Sequence, residues 1–192
     1  ANHALSDIFA MGAEAQTALA IATVPYGLEA KVEASIREMM TGAMDVLNEA
    51  GATLIGGHTS EGPELALGFS VNGLADREAI LRKGGMAAGD VLILTKPLGT
   101  GTLFAADMQQ KAKGRWIEGA LKTMVQSNRK AALCLFSHGA SACTDVTGFG
   151  LLGHTVEMTK ASGVDVEINL DALPILDGAE ATVRLGILSS LQ

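Results

Sequence analysis

Aromatic residues are scarce in this sequence: one Trp, one Tyr and five Phe. Stacked rings cannot organise the core, so Ala, Leu, Ile, Val and Met must fill it. Cysteine is nearly missing. Cys134 and Cys143 stand nine residues apart, which is neither a disulfide framework nor a zinc-ligand spacing. Each is expected to be a small buried hydrophobe in a reducing cytoplasm. Basic residues are outnumbered, with 14 Lys and Arg against 21 Asp and Glu and a net charge of −7. The clustered cations that a nucleic-acid backbone calls for are missing, so no nucleic-acid partner is expected. A polyphosphate ligand would need a metal ion to offset its charge. No run of about 18 apolar residues marks a membrane span, and no basic-then-apolar leader opens the chain. Both ends fall inside structured patterns, so a fragment of a longer protein is expected.

What is abundant is apolar residue and glycine: 48% and 23 residues of 192. That excludes disorder. Ala4, Leu5, Ile8 and Met11 recur at helical spacing, and Gly12 fits a stop. "QTALAIATV" (16–24) reads as a buried strand. Val32, Ile36, Met39, Met40, Ala43 and Leu47 share one face of a long helix ending at Gly51. Residues 52–76 read as strand, loop, strand, with Leu65, Leu67, Phe69 and Val71 alternating. Further strands are expected at Val91–Leu94 and Val164–Leu170. Helices are expected over 103–112, over 115–140 with a break near Ser127–Asn128, and over 150–162 with a cap at Gly163. Helices and strands interleave, so the fold class is α/β to α+β. The polar, Gly-rich stretch 82–90 marks a soft domain boundary.

"TGFGLLGH" (147–154) holds Gly148, Gly150 and Gly153 in the G-x-G-x-x-G pattern. A dinucleotide fingerprint needs an apolar strand leading into the first glycine. "SHGASACTDVT" is not one, although Asp165 and Asp171 stand where a ribose ligand could. The glycines are better read as a tight turn into a helix whose free N–H groups suit an anion. Asp145, just before the turn, either caps it or serves as a magnesium ligand beside bound phosphate. By composition the cap is favoured. Asp7 is either a solvated helix aspartate or a second metal carboxylate, and His3 shares its helix face. Gly56 and Gly57 end an apolar run before His58 and Thr59. Paired glycines let a backbone approach a ligand, and the plain alternative is an ordinary loop. Lys96, Gly99 and Gly101 precede a helix and suit an anion, but the G-K-[ST] of a P-loop is missing. Carboxylates with Gly-rich turns point to metal–phosphate chemistry.

Five segments together, "NHALSDIFAMG", "GGHTSEGPE", "LILTKPLGTG", "ACTDVTGFGLLGH" and "LPILDGAEATVRLGILSSL", resemble the selenophosphate synthetase family in order and approximate spacing. The resemblance implies a two-domain, aminoimidazole-ribonucleotide-synthetase-like fold with an incomplete N-terminal domain. Residues 1–84 would be part of the dimerising, ATP-binding domain, and residues 85–192 a shortened C-terminal α+β domain. It implies a homodimer that turns selenide, ATP and water into selenophosphate, AMP and phosphate with Mg²⁺. Asp7 matches a metal and nucleotide ligand and Asp145 a metal ligand, which reverses the preference for the cap. Gly56, Gly57, His58 and Thr59 match a loop that reaches ATP from the dimer partner. The family's catalytic cysteine or selenocysteine, its partner lysine and a further metal-binding aspartate lie upstream of the first matched motif. No catalytic residue is therefore assigned in this chain, which is expected to be inactive alone. Other ATP-dependent enzymes of the same superfamily, or a non-catalytic nucleotide-binding dimer, are the alternatives.

Overall fold

The computed structural model describes residues 1–189, so the last residues of the matched C-terminal motif lie outside the described part. The chain divides into two units: residues 1–82 with 128–143, and residues 83–127 with 144–192.

The first unit begins with α1 (Asn2–Ala10), β1 (Glu14–Pro25), α2 (Glu29–Ala50), β2 (Thr53–Gly62) and β3 (Ala66–Leu74). The strands form one sheet in the order β2-β1-β3. β1 pairs parallel with β2 and antiparallel with β3. A parallel pair needs a long crossover, and α2 supplies it. β1 alternates cleanly: Ala18, Ala20, Ala22 and Val24 are buried, while Leu19 and Ile21 are exposed. The buried face meets Leu5 and Phe9 of α1, Leu47 and Ala50 of α2, and Ala132. Leu47 is fully buried, which contributes about 2 kcal/mol. α2 ends where expected, with Gly51 in the left-handed conformation at φ 77°, a backbone that glycine adopts without Cβ strain. The remaining element, α5 (Arg129–Ser137), returns to this unit from far along the chain. Its preceding Asn128 donates from Nδ2 to the buried Ser6 Oγ of α1 at 3.0 Å.

The second unit contains α3 (Thr100–Met108), α4 (Gly114–Val125), α6 (Gly150–Ser162) and α7 (Ala179–Arg184). Leu103, Trp116, Ala120 and Ala179 form its main core cluster. The stretch 83–86 lies along α6. Lys83 Nζ donates to Glu157 Oε2 at 2.7 Å, and the Gly85 and Met86 amides donate to Ser162 Oγ at 3.1 Å. A Cβ on Gly84 would stand 2.7 Å from the Ala161 carbonyl oxygen, so the close approach requires glycine.

Several expectations are corrected. Residues 56–62 are not a loop, because β2 runs on through them. Residues 91–94 and 164–170 form no strands. Alternation is a property of a side-chain face, whereas a strand also needs a paired backbone, and neither segment has a ladder partner among the described residues. Val164, Val166 and Ile168 keep the alternating half-burial without the ladder. Cys134 is exposed and Cys143 only half-buried, so neither is the buried hydrophobe expected.

Candidate metal and phosphate site

Asp145 sits in an irregular stretch before α6. Residues 142–147 form no strand, so the geometry that a dinucleotide fingerprint requires is missing. Thr147 O accepts from the Gly150 amide at 2.9 Å, which closes a turn. Gly150 sits at φ 67°, a left-handed conformation that costs an L side chain about 1–2 kcal/mol. Gly153 has another reason to be glycine, since a Cβ there would lie 2.7 Å from Phe149 Cβ.

Asp145 does not cap the helix. Phe149 is the N-cap of α6 and makes no side-chain capping hydrogen bond. Instead Asp145 Oδ2 is buried with no hydrogen-bond partner among the described residues. A buried carboxylate oxygen left unpaired carries a cost of about 1–3 kcal/mol or more. Such an atom persists where a ligand completes it. Magnesium takes one or two carboxylates and fills its shell with water and phosphate oxygens, so this residue fits the ion. No group of three or more His, Cys, Asp or Glu among the described residues forms a ready metal cage.

His154 went unremarked in the sequence, although it ends the glycine motif. It is buried, and its Nε2 accepts from the Thr147 amide at 3.1 Å. Its position on α6, facing back over the helix start, was the available signal. Nδ1 lies 3.4 Å from Glu157 Oε2, within ion-pair reach but without hydrogen-bond geometry. Glu157 in turn takes a hydrogen bond from Lys83, which holds its carboxyl below the usual carboxylate range.

The other sequence-predicted residues fall elsewhere. Asp7 is exposed on α1 in the first unit, whereas Asp145 belongs to the second. His3 is exposed on the same helix. Gly56, Gly57, His58 and Thr59 lie exposed along the edge strand β2, where the register slips by one residue beside Ala18 and Leu19. Gly57 admits no side chain, because a Cβ would collide with the Ala20 carbonyl. Lys96 is not free for an anion: its ammonium donates to the Gln126 carbonyl, and burial pushes its pKa down. Gly99 and Gly101 have packing reasons, against Ala179 and Ser189. A shallow cavity of about 580 Å³ beside Trp116, Asp177 and Arg184 includes none of the predicted site residues.

The chain matches the AIR synthase related protein, N-terminal domain, over residues 1–75 and the AIR synthase related protein, C-terminal domain, over residues 87–190. It belongs to the AIR synthase related protein family. It is 45% identical to a selenide, water dikinase of Geobacter metallireducens, across 97% of this chain and 54% of that protein. The chain thus spans about half the length of the curated relatives it matches. Its fold resembles a thiamine-monophosphate kinase from Stenotrophomonas maltophilia, with a TM-score of 0.81 and 24% identity over 98% of this chain and 62% of that one. It also resembles a hydrogenase maturation protein HypE solved in complex with ATP, with a TM-score of 0.77 and 15% identity over 98% and 57% of the two chains. The two-domain family fold expected from the sequence is therefore present, and the likeness to selenophosphate synthetases extends along nearly the whole chain.

Proposed function

We propose that the full-length protein is a selenide, water dikinase, making selenophosphate, AMP and phosphate from selenide, ATP and water. The observation that carries this reading is the buried, unpartnered Oδ2 of Asp145. It stands in a chain that matches a selenide, water dikinase at 45% identity over 97% of its length. ATP as the nucleotide is supported by the HypE neighbour solved with ATP.

In this reading Asp145 is a ligand of Mg²⁺, which when bound would offset the charge on the transferring phosphates, and Asp7 is a further metal and nucleotide ligand on the strength of the resemblance alone. The chain's own residues orient the nucleotide. Asp145 presents its free carboxylate oxygen before α6, whose first-turn amides have no side-chain cap and favour phosphate. Gly56, Gly57, His58 and Thr59 offer an exposed edge backbone to the nucleotide. Leu19, Ile21 and Ile55 leave an apolar sheet face exposed, which supports a homodimer through that sheet. The family's two domains are proposed to divide near residue 84, apart from residues 128–143, which pack with the first unit, and the enzyme is proposed to work in the cytoplasm.

The test is product analysis on the full-length protein. Selenide-dependent AMP release is expected. ADP as the sole nucleotide product overturns the dikinase reading in favour of another ATP-dependent enzyme of this family, and nucleotide binding without turnover favours a non-catalytic dimer. Calorimetry adds a check on the site: Asp145→Asn is expected to weaken Mg²⁺–ATP binding by about tenfold or more.

A further inference from the structure

We infer that His154 is a positioning residue that sets the conformation of the Asp145 turn from inside α6. The inference rests on the reading of Asp145 as a cation ligand. His154 is 5% exposed, so its ring has one fixed set of neighbours. Its Nε2 is 3.1 Å from the Thr147 amide nitrogen, which donates to it, and 3.2 Å from Thr147 Oγ1. A ring nitrogen that accepts a backbone N–H carries no proton, so the neutral imidazole has its hydrogen on Nδ1. That atom faces Glu157 Oε2 at 3.4 Å, and Lys83 holds the same oxygen at 2.7 Å. The pair lacks hydrogen-bond geometry, so the carboxylate favours the Nδ1–H tautomer by its charge alone, and the tautomer rests on Nε2 accepting from Thr147.

The consequence falls on Asp145. The residues between Asp145 and α6 are pinned at Thr147 from two sides: its amide is held by His154, and its carbonyl accepts from the Gly150 amide at 2.9 Å. The Phe149 ring lies 6.0 Å from the His154 ring, tilted by 50°, and Gly153 leaves room for it. With the amide of Thr147 held, the chain just before it is restrained, which favours the observed placement of Asp145 Oδ2, buried without a partner among the described residues. Losing the acceptor would free Thr147 and let Asp145 swing to solvent. The effect of His154 on the cation is thus indirect.

The test uses the full-length protein and two kinds of readout. Long-range ¹H–¹⁵N NMR of the wild type is expected to show His154 with Nε2 unprotonated. A protonated Nε2 at neutral pH overturns the inference without any variant being needed. Paramagnetic resonance with Mn²⁺–ATP then compares variants. His154→Leu is expected to weaken binding about tenfold and to speed exchange of the Thr147 amide. His154→Gln, whose Oε1 can accept near the place of Nε2, is expected to restore binding to within about threefold of wild type. If Asp145→Asn weakens binding while both His154 variants bind like wild type, the positioning role falls and the metal reading stands. If Asp145→Asn itself binds like wild type, the metal reading falls and takes this inference with it. Should His154→Leu fail to fold, the tautomer and the His154→Gln result still decide.

Discussion

Two glycines separate steric need from mere presence. A Cβ on Gly57 would run into the Ala20 carbonyl of the neighbouring strand, whereas one on Gly42 in α2 meets nothing within 4 Å. Gly57→Ala must therefore push β2 off β1, and a loss of about 3 kcal/mol is expected. Gly42→Ala removes only backbone entropy from an exposed helix position and should add about 0.5–1 kcal/mol. Urea denaturation of the pair checks both signs, and equal shifts would contradict the close approach. The reason for Gly57 was hidden in the sequence, where paired glycines read as a loop. Only pairing with a distant strand turns them into an edge. Asp145 was the opposite case. Its motif was legible, but whether its carboxylate capped the helix or stood free depended on a hydrogen bond that no spacing reveals.

Elements were legible where their signal is local. Apolar spacing and a left-handed glycine define α2 and α6, and both ended at the glycines read as caps, Gly51 and Gly163. Strands were legible only when a partner existed, which is why 91–94 and 164–170 misled. Contacts that join elements far apart in sequence were not legible at all. The Asn128–Ser6 bond fastens α5 to α1 across 122 residues. Asn128→Ala and Ser6→Ala should each cost about 1 kcal/mol, and the double variant less than their sum. Full additivity in a denaturation cycle would show that the bond contributes nothing. Lys83 and Glu157 tie the 83–86 stretch to α6, and here pH supplies the test. The hydrogen bond from Lys83 lowers the Glu157 carboxyl pKa in the folded state. A carboxyl depressed in this way adds stability above its unfolded pKa and loses it as pH falls through the folded value. The stability gap between wild type and Lys83→Met should therefore be open near neutral pH and close below about pH 4. Midpoints measured across that range check it, and a gap unchanged in acid would assign the effect to packing of the lysine stem.

At the scale of the whole molecule, the sheet of the first unit has one face in the core and one in solvent. β1 turns Ala18, Ala20, Ala22 and Val24 inward and leaves Ile21 58% exposed and Leu19 39% exposed, with Ile55 of β2 also 58% exposed. Charged residues or prolines usually guard an exposed sheet face or edge, and on this face three branched aliphatics stand instead. Their exposure follows from the period of two: the small alanines fit beneath α1 and α2, so the larger residues fall to the outside. The division of the chain itself was only half legible, since a Gly-rich stretch at 82–90 could be read from composition, but nothing local announced that residues 128–143 return to the first unit. If the outer face is where two copies meet, Ile21→Lys places a charge at its centre while leaving the alanine face untouched. Sedimentation of the full-length protein is expected to give a dimer for the wild type and a monomer for Ile21→Lys, with unchanged circular dichroism. A wild type that sediments as a monomer, or a variant that remains a dimer, would remove the sheet face as the interface. Because the proposed nucleotide-contacting strand β2 lies along the same sheet, loss of the dimer should also weaken Mg²⁺–ATP binding, even though Ile21 itself is not proposed to touch the nucleotide.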